Sequence, residues 1–108
     1  MATVTVGIDL GGTKVAIALV DADGNVVATA RNSTGITANP DATVAAIATS
    51  VKEIRASVTD ALAIGVGVGA AGQIDPATGT MRASPNLPGW DNVPLQAKLQ
   101  QALDLPVV

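Results

Sequence analysis

The chain has 108 residues and a net charge of −3, enough for one hydrophobic core but too few for a typical two-lobed enzyme. Hydrophobic residues make up 48% and charged residues 14%, which excludes intrinsic disorder, and the acidic balance offers no basic surface for nucleic acid. Cysteine and histidine are both absent, so disulfides, thiol nucleophiles, histidine bases and the usual zinc ligands are excluded from this stretch.

Thr3 to Leu10 alternates β-branched and small residues and is expected to form a strand. Gly11-Gly12-Thr13 breaks it with a tight turn, and Val15 to Val20 is a second strand. Asp21-Ala22-Asp23-Gly24-Asn25 is strong turn chemistry, and Val26 to Arg31 follows as a third strand. Three strands joined by short turns predict an antiparallel meander. The period then changes. Val44, Ile47, Val51, Ile54 and Val58 recur at spacings of three and four, one face of a helix. Asn39 is its expected N-cap and Pro40 its first residue, with Asp41 in the first turn and the end near Ser57. Ala61 to Ala70 is almost wholly apolar or glycine and predicts a strand buried on both faces. Gly72 to Pro76 is expected to turn, and Thr80 to Ala83 to form a short strand. Two prolines and a glycine make Ser84 to Trp90 an irregular loop. A second helix is expected from about Pro94 to Leu103, with Leu95, Leu99 and Leu103 one turn apart. Pro106-Val107-Val108 begins another strand, which predicts a chain that is part of a longer protein. No run approaches the roughly 18 apolar residues that span a bilayer, and Met1 leads into no charged or apolar leader. A cytoplasmic protein without membrane or nucleic-acid partners is the expectation.

The sharpest chemical signal is Gly7-Ile8-Asp9-Leu10-Gly11-Gly12-Thr13-Lys14. It sets an aspartate at the end of a strand and two glycines in the turn that follows. Glycine lets backbone N–H groups approach a phosphate closely. Thr13 adds a hydroxyl donor, Lys14 a charge, and Asp9 a hard oxygen ligand suited to Mg²⁺ through water. A hairpin whose aspartate caps its own turn is the blander reading. The whole octapeptide between two apolar strands favours phosphate.

This octapeptide resembles the first phosphate loop of the sugar kinase, chaperone and actin-like ATPase superfamily, and within it the ROK family of sugar kinases and sugar-responsive repressors. Gly65-Val66-Gly67-Val68-Gly69-Ala70-Ala71-Gly72-Gln73-Ile74-Asp75 resembles that family's glycine-rich segment, and Ser84-Pro85-Asn86-Leu87-Pro88-Gly89-Trp90 its Asn-Leu-x-Gly-Trp loop. The resemblance covers essentially residues 1–108 and implies the N-terminal lobe of a ROK-type sugar kinase, incomplete at its C-terminal end. The implied fold is α/β, a ribonuclease H-like mixed sheet of three antiparallel strands and then parallel ones, order 3-2-1-4-5, with helices packed on it. The implied activity is glucokinase-like transfer of a phosphoryl group from ATP to a hexose, with Mg²⁺, in a homo-oligomer. Glucose is the default sugar, with N-acetylmannosamine, fructose or allose behind it.

Carried over by position, the resemblance implies that Asp9 holds the metal–nucleotide complex and that Gly11, Gly12, Thr13 and Lys14 line the phosphates. Gly72 would border the sugar, and Asn86 would sit in the loop at its pocket. The family's catalytic base is an aspartate in a Glu-Asn-Asp-x-Asn segment directly after the strand that Pro106-Val107-Val108 begins. The chain holds no such segment, so these 108 residues alone are expected to be inactive.

Other patterns are weaker. Gly67-x-Gly69-x-x-Gly72 matches a dinucleotide fingerprint, but turn sequence follows where a helix is required. Asp75 reads as the start of an Asp-Pro turn rather than a second catalytic carboxylate. Trp90 either stacks on a sugar or packs beside Leu87. Asp21, Asp23 and Asn25 are explained by a hairpin turn better than by a calcium loop. Two other classes stay open: the sugar-sensing domain of a transcriptional repressor, and a non-catalytic actin-like module. The first is disfavoured because no basic helix precedes the first strand, the second because of the Asn-Leu-Pro-Gly-Trp loop.

Overall fold

The computed structural model describes residues 2–11, 14–33, 39–58, 60–70, 72–83 and 89–108. Strands β1 (Ala2–Leu10), β2 (Lys14–Asp21) and β3 (Val26–Ser33) form the expected meander. The β2–β3 turn is closed by its own aspartate: Asp21 Oδ1 accepts from the N–H groups of Asp23 and Asn25 at 3.0 and 2.9 Å. Those bonds give the acidic cluster its structural job, and Gly24 supplies the positive φ of 86°.

Helix α1 (Pro40–Ala56) starts where its caps predict. Asn39 Oδ1 accepts from the N–H groups of Asp41 and Ala42 at 3.0 and 3.3 Å. Substituting Asn39 with alanine should cost about 1 kcal/mol and lower Tm by about 4–8 °C, read by thermal melting. The buried stripe is Val44, Ile47, Val51 and Ile54, with Thr43 and Ser50 beside it. Val58 lies past the helix end and packs against the same core.

Strand β4 (Ala61–Ala70) returns alongside β1 in parallel, from Ala2 opposite Ala61 to Leu10 opposite Ala70. The main sheet has the order β3-β2-β1-β4. A fifth strand is not formed there. Val107 makes a single parallel bridge to Val66, with Val66 N–H donating to Pro106 O at 2.8 Å and Val108 N–H to Val66 O at 2.9 Å. Gly72 to Pro76 is not simply a turn. Gln73–Asp75 forms β5, which pairs antiparallel with β6 (Thr80–Ala83) in a separate two-stranded sheet. Helix α2 (Leu95–Leu103) follows Pro94 and ends at Asp104, which adopts a left-handed φ of 53°.

Both helices bury their stripes in one core with Val4, Val6, Ile8 and Leu10 of β1 and Val15, Ile17 and Leu19 of β2. The opposite face of the sheet carries no helix among the described residues. Strand β4 is therefore not buried on both faces as its apolar run suggests. Leu62 and Ile64 are 48% and 50% exposed, while Ala63 and Val66 are buried. An apolar run reports a strand's hydrophobicity but not whether something covers each side. No helix among the described residues is long and apolar enough to cross a membrane.

Candidate functional site

Strand alternation and register decide which side chains share the open face. Val4, Val6, Ile8 and Leu10 point into the core, so Thr5, Gly7 and Asp9 fall on the other side. Asp9 lies opposite Ala16 on β2, and Ala16 lies opposite Arg31 on β3. On its other side Asp9 lies opposite Gly69 of β4. The row across the sheet is therefore Arg31, Ala16, Asp9, Gly69. The next row toward the middle is Thr29, Ala18, Gly7, Gly67. Lys14, two residues before Ala16, is exposed on the same face at the sheet end.

These rows enclose an open cavity of about 390 Å³. Its floor is Gly7, Ala16, Ala18 and Gly67, and its polar walls are Asp9, Thr29 and Arg31. A Cβ built on Gly7 or Gly67 would meet nothing within 4 Å, so the chain's own packing does not demand these glycines. Their bareness leaves backbone exposed on the floor of the cavity. The cavity sits toward the carboxyl ends of the parallel pair β1 and β4, the usual place for ligands on such sheets.

At Gly11 the space is tighter. Its N–H donates to Lys14 O at 2.9 Å, and a Cβ there would come within 3.1 Å of that same oxygen. The bond ties the start of β2 to the end of β1, at the end of the sheet where Asp9 stands. Gly72 lies just past the end of β4, with its N–H donating to Ala70 O at 3.1 Å. The fold thus brings Asp9, Gly11, Lys14 and Gly72 to one end of the sheet. Gly12, Thr13 and Asn86 lie outside the described residues. The sequence did not single out Arg31 or Thr29. Counting residue parity from the β2–β3 turn would have missed both, because a register shift between Leu19 and Val20 moves β3 by one residue and only then sets Arg31 opposite Ala16 and Thr29 opposite Ala18.

Asp9, Lys14 and Arg31 form no ion pair with one another. Among the described residues no group of three or more carboxylates stands ready for a metal. A lone exposed carboxylate suits a Mg²⁺ ion that keeps most of its waters and arrives with a polyphosphate. Zinc or calcium would need a denser donor set.

Three other features are absorbed by the fold. Asp75 starts its turn, accepting from Ala77 N–H at 3.0 Å, and pairs with Arg82 Nη2 at 2.9 Å. The Arg82 hydrogen bond, helped by the Ala77 N–H, holds its carboxyl below the usual carboxylate range. A lowered folded value means the stabilisation is full above about pH 4 and fades as pH falls through the lowered value. Asp75→Asn should therefore lower Tm at pH 7 and converge with the parent in strong acid, in melts run across pH. Trp90 is fully buried in the core, which leaves no exposed ring face for a sugar; Leu87, its expected neighbour, lies outside the described residues. After Gly72 the chain enters strand β5, and the helix N-terminus that a dinucleotide fingerprint needs is not there.

Known proteins share this sequence and fold. The model of the ROK family matches residues 5–108. A glucokinase of Streptomyces coelicolor is 38% identical over 104 residues, covering 96% of this chain and 31% of that protein. The xylose repressor of Caldicellulosiruptor bescii is 46% identical over 44 residues, 41% of this chain and 11% of that one. The crystal structure of a ROK family glucokinase from Streptomyces griseus in complex with glucose and AMPPNP superposes with a TM-score of 0.84 at 34% identity. That match covers 97% of this chain and 32% of the other. The chain spans about a third of the length of these glucokinases.

Proposed function

The chain belongs to the ROK family, and on that premise we propose that it forms the N-terminal lobe of an ATP-dependent hexose kinase, with glucose as the first sugar to test. The observation that carries this reading is the meeting of Asp9, Lys14 and the Gly11 turn at one open end of the sheet. A carboxylate, a cation and a bare backbone are what a metal–polyphosphate needs on one side. The glucokinase relatives, and the glucose and AMPPNP of the Streptomyces griseus complex, support it.

In this reading Asp9 would hold nucleotide-borne Mg²⁺ through water, an ion that would supply charge neutralisation at the phosphoryl group. Lys14 stands beside the same phosphates and limits their repulsion. Gly11, with Gly12 and Thr13, lets the polyphosphate lie against main chain. Gly72 and Asn86 border the sugar. A phosphoryl acceptor hydroxyl also needs a base, and no carboxylate within the chain is assigned to it. The family resemblance places that base in a Glu-Asn-Asp-x-Asn segment, which this sequence does not contain. The 108 residues alone are therefore proposed to be inactive.

The test is sugar-dependent ADP release by the whole polypeptide that carries this sequence, across a panel of hexoses. Turnover with glucose supports the kinase. Tight sugar binding without turnover favours the second reading, a sugar-responsive repressor, for which the xylose repressor match speaks.

A further inference from the structure

We propose that Arg31 is a phosphate-binding residue of the same site, an inference that rests on the nucleotide reading above. Asp9 and Arg31 flank Ala16 in one row of the open face and wall one cavity. Two strand spacings separate their backbones, about 9–10 Å. Ala16 between them rises no higher than a methyl group. An arginine and an aspartate side chain spanning that gap leave room for one phosphate-sized group over Ala16. Arginine matches such a group with a planar pair of donors.

The charges favour the same assignment. Arg82 and Lys98 are engaged with Asp75 and Asp41, and Lys52 and Arg55 stand on α1, away from the open face of the sheet. Arg31 is exposed and joins no such pair. Without it, Asp9 and Lys14 cancel, and the face meets a polyanion with no net charge. With it, the face carries one positive charge in excess. Its place in the register puts it on the cavity wall, where Thr29, two residues earlier, also stands.

The experiment is calorimetric titration of the whole polypeptide, as the parent, Arg31→Ala and Arg31→Lys, with MgATP and separately with adenosine. Arg31→Ala should weaken MgATP roughly 10- to 100-fold and leave adenosine unchanged. Arg31→Lys, which keeps the charge but loses the fork, should fall between. Equal weakening of MgATP and adenosine would assign Arg31 to structure and overturn the proposal. Unchanged MgATP affinity in Arg31→Ala would overturn it as well, while the nucleotide reading stood on the parent's binding. A parent that binds no MgATP would remove both together.

Discussion

Asp9→Asn is expected to reduce sugar phosphorylation by the whole polypeptide by about 100- to 1,000-fold while leaving the melting temperature unchanged. The two halves of that expectation come from the same geometry. Asp9 is exposed, its row neighbours are Ala16 and Gly69, and it joins no ion pair among the described residues. Nothing in the fold depends on its charge. An amide of the same shape keeps the strand and the cavity but binds a hydrated Mg²⁺ poorly. The loss should shrink as Mg²⁺ is raised, because weaker metal binding is then offset by mass action. Initial rates over a Mg²⁺ series, with thermal melts of the same preparations, check both halves. Parent-like rates in the variant would take Asp9 out of the metal site and leave Lys14 and the glycine turn as the phosphate contacts.

Trp90→Ala should have the largest effect on stability, about 3–5 kcal/mol. Trp90 is fully buried, as are Met81 and Leu99 in the same core. Met81 and Val93 exchange backbone hydrogen bonds of 2.7 and 2.8 Å, which bring the β5–β6 hairpin to the start of α2. The indole therefore packs in a core that unites sheet, hairpin and helix. For a domain of this size each kcal/mol moves Tm by about 4–8 °C, so a fall of at least about 12 °C is expected. Total stability of such domains is about 5–15 kcal/mol, so part of the population should be unfolded near physiological temperature. Circular dichroism melts read this directly. Trp90→Phe should recover most of the loss, because the benzyl group refills most of the volume.

Much of the fold is legible in the residues because local signals agree with one another. The period-two alternation of β1 and β2, the Asp21–Asn25 turn and the Asn39-Pro40 start of α1 each have their own physical cause. Strand β5 was not legible. Three residues, Gln73 to Asp75, are too few to show a period, and only pairing with β6 defines them. The exposure of Leu62 and Ile64 was not legible either, since burial of a sheet face depends on what packs there. At the site, Asp9, Gly11 and Lys14 stand out because they sit in one contiguous motif. Arg31 is 22 positions after Asp9 and reaches it only through two antiparallel registers. A linear motif cannot carry that information.

The parallel pairing of β1 with β4 also differs from the antiparallel ones in the length of chain it closes. The meander needs only short loop closures, whereas β4 must find β1 across the 50 intervening residues. The first three strands pair through short loops, and β4, which completes the bed beneath Asp9 with Gly67 and Gly69, pairs over a long one and then receives Val107 at Val66. The groups that would grip phosphate thus rest on local pairings, while the ground they stand over depends on a long-range one.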